Sequence, residues 1–457
     1  MKVHPYIPNS VPEIKKKMLK EIGVKKVDQL FAAIPSNLML RRRLRLPSPT
    51  PEIVVKRHVG DLLSKNRTCS EIPSFLGAGC WPHFVPDVCT EISSRSEFLT
   101  AYTGDVYSDL GRFQALFEFQ SMIGELVGME AVTFPLYDWS TASGDALRMA
   151  LLVTGRRQIL LPKTISKEKL SVMKAHCADL GEIELINFDE NTGQLSLDDL
   201  ARKVSEKTAC VYIENPAYLG FIETEAEEIG RLAHEKGALY VAGVEPLSLG
   251  LLKPPSEYGA DIVCGEGQPL GLKTSFGGAL LGFLAFRDEE QFISATGHRL
   301  VTITRTCRER EWGFAFVLPE RSMFAAREKS ATFTGTTTVL WAITAAVYLS
   351  LLGPQGIKKL AETIMQKTHY AIKRLAEIRD VSVPTFDALH FEEFTIRFES
   401  GKTVHKINKS LLRHGIQGGK DLSEEFPELR NTALYCVTEV HTLEDIERLV
   451  TSLEDVL

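Results

Sequence analysis

The chain has 457 residues, with 53 basic against 59 acidic side chains and a formal net charge of −6. At 44% hydrophobic and 25% charged residues it is too apolar for a disordered chain and too acidic overall for a general nucleic-acid binder. Its length predicts about three structural units at roughly 150 residues per domain, and a core large enough to stand without disulfides.

Residues 1–65 read as a helical arm. Val11 to Ile22 and Val27 to Ala33 are short amphipathic stretches separated by Gly23, a C-cap signal. Arg41, Arg42, Arg43 and Arg45 follow; such a run is read first as a solvated face and second as a partner-docking patch. Met1 to Ser10 has two prolines and no apolar stretch of the kind a signal peptide needs.

From residue 66 to 330 the pattern alternates strand and helix. Apolar, β-rich runs fall at Gln158–Leu161, Ile183–Phe188, Ala209–Glu214, Ala238–Val244, Asp261–Cys264 and Ala279–Phe286. The clearest helix between them is Thr224–Lys236, with a capping box at Thr224 and Glu227 and a terminating Gly237. Unbroken apolar strands with helical crossovers predict an α/β domain with a mostly parallel sheet covered on both faces.

Residues 331–457 read as a linking helix and a small C-terminal domain, with the rhythm changing from about residue 360. Thr332 to Ile357 carries no charge, but its apolar centre, Val339–Leu352, is shorter than the roughly 20 residues a bilayer needs, so a buried helix is expected and no membrane partner. A helix near 355–378, strands at Phe394–Phe398 and Leu434–Thr438, and helices at Val404–His414 and from Thr442 onward compose a small α+β domain. Thr442 and Asp445 form a second capping pattern.

Eight cysteines without a CxxC pair supply neither a zinc ribbon nor a disulfide framework, and a reducing cytoplasm is the expected location. Cys80, His83 and Cys89 are the nearest approach to a metal site. Their spacing fits no common zinc centre, so they are read as structural and no metal is expected.

The segment Tyr137-Asp-Trp-Ser-Thr-Ala-Ser-Gly-Asp-Ala146 is hydroxyl-rich and opens onto a predicted helix, Leu147–Val153. Ser140, Thr141 and Ser143 could cup a phosphate at that helix N-terminus, or one of them could simply cap it. A phosphate cup in a large α/β domain with a small C-terminal domain suggests pyridoxal-phosphate chemistry, which needs a Schiff-base lysine and an acidic partner for the pyridinium nitrogen. Lys273 is the only lysine in the loop after a late strand. The strand Ala238–Val244, where the acid belongs, has none, and Glu245 only follows it.

The residues then match a family. His4-Pro-Tyr-Ile-Pro8, Phe75-Leu-Gly-Ala-Gly79, Arg95-Ser-Glu-Phe-Leu-Thr-Ala-Tyr-Thr103 and Phe117-Glu-Phe-Gln120 are part of the match. The most specific stretch is Gly259-Ala-Asp-Ile-Val-Cys-Gly-Glu-Gly-Gln-Pro-Leu-Gly271 with Phe276-Gly-Gly278. Over nearly its whole length the chain resembles glycine dehydrogenase (decarboxylating) subunit 1, the alpha chain of the split glycine-cleavage P-protein. The resemblance implies a fold-type-I pyridoxal-phosphate architecture with an N-terminal arm and a small C-terminal α+β domain. It implies an alpha2beta2 assembly in which the beta subunit carries pyridoxal phosphate, decarboxylates glycine and passes the aminomethyl group to the lipoyl arm of H-protein.

On this alignment the pyridinium-partner position falls near Gly243 and the Schiff-base position at Gln268 or Pro269, so no catalytic residue and no cofactor are expected on this chain. Ser140, Thr141 and Ser143 then become a vestigial phosphate cup. Tyr102, Thr103, His298 and Arg299 are candidates for the active-site entrance or the subunit interface. For His298 and Arg299 a plain surface position is the competing reading. The chain departs from the family at Gly104-Asp105-Val106, Glu320–Ser330, Thr332–Thr338 and Gly297-His298-Arg299. Those departures keep two alternatives open: a non-catalytic scaffold of the same fold, and a stand-alone enzyme using Lys273.

Overall fold

The structure is a computed structural model that describes residues 3–99, 112–278, 280–332, 334 and 338–457. It divides into two compact units, Met1–Arg67 and Thr68–Leu457. In the first, the helix Pro12–Ile22 starts on proline, whose missing N–H costs nothing at that position, and ends on Gly23 in the left-handed region, as its sequence predicts. Val27–Phe31 is a short 3-10 turn, and Glu52–Leu63 is a second helix.

The second unit is built on a seven-stranded sheet. Its strands are β1 (Ala131–Val132), β2 (Gln158–Pro162), β3 (Glu182–Ile186), β4 (Thr208–Glu214), β5 (Leu239–Val244), β6 (Ile262–Glu266) and β7 (Gly282–Phe286). The order is β1-β7-β6-β5-β4-β2-β3. Strands β2 to β6 are mutually parallel, while β7 runs antiparallel to both of its neighbours. Every residue of β4 and β6 is buried, which is why those runs read as unbroken apolar sequence. Helices cover both faces. One core centres on the helix Phe113–Val127 and the first half of Val339–Leu375, the other on the helix Trp139–Thr154.

The helix Val339–Leu375 is long and apolar enough to cross a membrane by length and composition. It is broken at Gly353, whose φ of 58° is left-handed, followed by Pro354. Its buried face, from Val339 to Ile364, packs into the first core.

Two smaller sheets complete the unit. Strands β8 (Val301–Arg305) and β9 (Trp312–Phe316) form an antiparallel hairpin that the alternation did not announce. Strands β10 (Val381–Ser382), β11 (Glu393–Phe398), β12 (Lys420–Asp421) and β13 (Thr432–Cys436) form an antiparallel sheet in the order β10-β11-β13-β12. Against it pack the helices Val404–Arg413 and Leu443–Val456. The second of these carries the capping box read from Thr442 and Asp445.

The box expected at Thr224 and Glu227 does not form. The helix there is Ala226–Glu235 with Glu225 at its N-cap and no side-chain cap. Thr224 instead donates its N–H and hydroxyl to Gln194 Oε1, at 2.8 and 3.2 Å. A partner from another loop outcompetes the local cap.

Candidate functional site

In an open parallel sheet, ligands collect beyond the carboxyl ends of the strands, where the strand order reverses. Here β3 lies on one side of β2 and β4 on the other. The segments that follow β2, β4, β5 and β6 enclose a cavity of about 170 Å³ lined by Ser166, Glu168, Lys169, Tyr218, Glu245 and Glu266, among others. The strand end at Glu392 and Glu393 and the segment Ala78–Trp81 close it from the other side. The backbone joins those two parts directly, since Phe75 N–H donates to Gln417 O and Cys436 N–H donates to Phe75 O, both at 2.9 Å.

At the base of the cavity Lys169 reaches from the first turn of the helix Lys167–Cys177 to the carboxylate of Glu214, the last residue of β4. Its ammonium sits 3.5 Å above the centre of the Trp139 ring. Tyr212 donates to Glu214 Oε1 at 2.9 Å, and Ser143 Oγ stands 3.2 Å from the Tyr212 hydroxyl and 3.4 Å from Cys264 Sγ. The second oxygen of Glu214 and the Trp139 indole nitrogen are buried without hydrogen-bond partners.

The glutamates around the cavity serve as backbone acceptors. Glu266 accepts from the N–H groups of Trp139, Gln268 and Leu281 at 3.1, 3.0 and 2.7 Å. Glu245 accepts from Leu247 and Ser248 at 2.9 and 2.7 Å, and Glu393 from Ala78 at 2.6 Å. Burial nevertheless pushes Glu266 up to about 7. It pushes Glu245 and Glu393 up to about 8, with the charge of Glu392 adding to both.

Pyridoxal phosphate in such an architecture needs three things here: a free helix N-terminus for the phosphate, an acid under the ring nitrogen and a lysine for the aldehyde. None of the three stands at the position expected for it. The helix Trp139–Thr154 begins eight residues before the predicted Leu147, so Ser140, Thr141 and Ser143 lie inside it. Its N-cap is Asp138, which accepts from Thr141 N–H at 2.7 Å and puts a carboxylate where a phosphate would sit. At Gly243 a Cβ would run into the Tyr212 hydroxyl and come within 2.9 Å of Trp139 Nε1, so that position cannot carry an acid. Gln268 is fully buried and clamped: its Nε2 donates to Trp81 O and Leu272 O at 3.1 and 2.9 Å, and its Oε1 accepts from Trp81 N–H at 3.0 Å. The cavity is also smaller than the roughly 300–1,000 Å³ of ordinary cofactor sites. These residues do not fit pyridoxal phosphate.

Lys273 is exposed and does not line the cavity. His298 and Arg299 are both buried, which corrects the surface reading. His298 Nε2 lies 2.6 Å from Asp145 Oδ2, and His176 Nδ1 lies 2.9 Å from Asp145 Oδ1. The Arg299 guanidinium stacks 3.9 Å from the Phe324 ring centre and 4.9 Å from that of Phe316. Neither lines the cavity at the strand ends. Tyr102 and Thr103 lie outside the described residues.

Cys80, His83 and Cys89 face different partners. Cys80 donates to Thr274 O at 3.5 Å, Cys89 is buried in the first core, and His83 lies between Glu439 and Glu392 at 2.9 and 3.3 Å. Among the described residues no group of three or more His, Cys, Asp or Glu side chains could hold a metal ion.

Trp139, Lys169, Glu214 and Glu392 had no sequence signal as site residues. Lys169 sits in an ordinary Lys-Glu-Lys-Leu helix turn, and Glu392 is far along the chain in the small C-terminal sheet region.

The sheet order and the second, antiparallel sheet define a fold-type-I pyridoxal-phosphate enzyme architecture. A NifS-like protein shares the fold at a TM-score of 0.62 and 13% identity, covering 84% of this chain and 99% of that one. A Burkholderia pseudomallei sphingosine-1-phosphate lyase shares it at 0.65 and 14%, covering 93% and 94%. The family model "Glycine cleavage system P-protein" matches residues 4–453, and this chain belongs to that family. A relative from Staphylothermus marinus named "Probable glycine dehydrogenase (decarboxylating) subunit 1" is 40% identical over all of this chain and 99% of its own length. One of the same name from Saccharolobus solfataricus is 39% identical over 99% of this chain and 98% of its own. The crystal structure of an inhibitor-bound glycine decarboxylase (P-protein) of the glycine cleavage system superposes with a TM-score of 0.83 at 33% identity, covering all of both chains.

Proposed function

We propose that this chain is the alpha subunit of a glycine dehydrogenase (decarboxylating) and works in the glycine cleavage system beside a pyridoxal-phosphate-bearing beta subunit. One observation carries the reading: the chain matches a subunit 1 from end to end, while the place for the cofactor is filled by Trp139, Tyr212, Asp138 and Gln268. The cofactor supplies the electron sink for loss of CO2 from glycine, and we assign it to the beta subunit. This chain supports that subunit in an alpha2beta2 assembly and helps form the surface that receives lipoylated H-protein. All eight cysteines are free thiols, which agrees with a cytoplasmic location.

The test is reconstitution. The full chain, a beta subunit and the mixture are each assayed with pyridoxal phosphate, glycine and H-protein for exchange of labelled CO2 into glycine. Activity is expected in the mixture and not in this chain alone. Activity of this chain alone, or none in the mixture with a beta subunit of proven competence, would refute the assignment.

A further inference from the structure

The two compact units of the chain carry opposite charge. Residues 1–67 have 15 Lys and Arg against five Asp and Glu, a net charge of +10. Residues 68–457 have 38 against 54, a net charge of −16. The modest total of −6 conceals this split. Charge separated on that scale decides which surfaces approach each other and which repel.

The basic unit also lacks a core. None of its described side chains is buried, and every hydrophobic core cluster lies in Thr68–Leu457. In the helix Pro12–Ile22, the residues Ile14, Met18 and Ile22 follow at i, i+4 and i+8 and so share one face. They are 42, 46 and 58% exposed. By the same helical spacing Lys15 and Lys17 border that face, while Lys16 and Lys20 stand opposite it. A short helix of this kind gains most of its stability from packing its apolar face against something else.

The acidic unit carries a groove of complementary chemistry. It has a volume of about 670 Å³ and runs beside the helix Phe113–Val127. Glu125, Glu130, Glu257 and Asp288 line it, all four exposed, and among the described residues no Lys, Arg or His does. Phe117, Met129 and Ile293 supply apolar surface between them. Asp288 N–H donates to Glu130 Oε2 at 3.3 Å, which sets two of the four acidic residues side by side.

We propose that the helix Pro12–Ile22 of one chain docks in this groove of a second copy of the chain, with its apolar face inward and its lysines among the four carboxylates. The mode is a helix laid in a groove, anchored by apolar side chains one turn apart. Two copies related by a two-fold axis exchange their helices reciprocally, so both grooves are filled and both apolar faces leave water. Nucleic acid would answer the charge and leave Ile14, Met18 and Ile22 in water. An anionic bilayer would answer both and leave the groove unfilled. The inference rests on the charge and shape of this chain and not on the catalytic role of the complex.

The charge split also dictates how the association responds to salt. Two copies of net charge −6 repel each other as wholes, so association gains only where basic unit faces acidic unit. That attraction is screened over about 10 Å at 0.1 M salt. The apolar contacts are not screened, so salt weakens the dimer without removing its hydrophobic part.

The full chain, without a beta subunit or cofactor, is measured by sedimentation equilibrium at low and at high sodium chloride. A dimer is expected, with a dissociation constant that rises about tenfold or more with salt. Lys15→Glu with Lys17→Glu, and separately Glu125→Lys with Glu130→Lys, are each expected to weaken the dimer by about tenfold or more. None of these four side chains is buried, so the fold is kept. The chain that carries all four reversals is expected to regain the dimer of the parent, a recovery that a misfolded variant cannot imitate. A chain that is monomeric at low salt, whether or not it sediments with phosphatidylglycerol vesicles, overturns the proposal. So does a dimer that either double reversal leaves unchanged, or one that the fourfold reversal fails to restore.

Discussion

Asp145 and Glu392 are both carboxylates buried beside imidazoles, at 3% and 2% exposure. Asp145 gives one oxygen to His298 and the other to His176, and those two imidazoles outweigh burial and hold it below the usual carboxylate range. Glu392 has one oxygen near His83 and the other unpartnered. Burial raises it, and the charge of Glu439 adds to the rise that His83 opposes. Depth of burial is the same in both places, so partners decide the outcome. In the first cluster both carboxylate oxygens are paired, beside an open pocket that Asp145 and His176 help to line. In the second one oxygen is left unpaired, in the wall region of the smaller cavity at the strand ends.

The largest effect is expected from Gly243→Asp, which returns an acid to the pyridinium-partner position. Its side chain meets Tyr212 and Trp139 and buries an unpaired charge, so a loss of about 5 kcal/mol or more is expected. The check is the melting temperature, with pyridoxal-phosphate absorbance as a second readout. A stable variant that binds the cofactor would show that the cavity is not plugged.

Next is Lys169→Met, which strands the Glu214 carboxylate in the core at a cost of about 3–5 kcal/mol. Adding Glu214→Gln should recover much of that loss, and a double-mutant cycle by denaturant unfolding measures the coupling. Strict additivity would show that the pair does not interact.

The acidic wall also predicts a pH dependence. Glu266 is raised from an ordinary value near 4.5 to about 7, so its contribution is complete below about 4.5 and is lost as pH rises through 7. For Glu266 alone the loss is about 3 kcal/mol. Glu245 and Glu393 extend it toward pH 8. Melting temperature should fall between pH 5 and 8.5, and less steeply in Glu266→Gln. A flat profile over that window would show that these groups are ionised throughout.

In the Asp145 cluster, Asp145→Asn should cost about 2 kcal/mol, since one imidazole keeps a partner and the other loses a charged one. The smallest effect belongs to Lys273→Ala. On an exposed loop it should shift stability by no more than about 0.5 kcal/mol and leave the activity of the reconstituted complex intact.

Much of the fold was legible. Strands β2 and β4 to β7 and the caps at Gly23 and Thr442 follow from periodicity and from backbone requirements that a few neighbouring residues set. The hairpin of β8 and β9 was not legible. β9 is partly exposed and β8 runs out to solvent, so neither strand carries the long buried apolar run that marks the strands of the large sheet. The Thr224 cap failed because Gln194, thirty residues away, was the better partner. The candidate site divides in the same way. The lack of an acid near Gly243 and of a lysine at Gln268 or Pro269 could be read once the resemblance had placed those positions. His298 and Arg299 were visible as unusual residues, but their burial beside Asp145 and the phenylalanines was not.

The sequence by itself determined the strand-and-helix order and, through the resemblance, the family, because those depend on residue identity and local spacing. Only the tertiary structure decided what stands in the cofactor's place. Trp139, Lys169, Glu214 and Glu392 come from four distant segments and meet where the strands end. Whether a buried charge is satisfied depends on which distant side chain reaches it, and no local pattern records that.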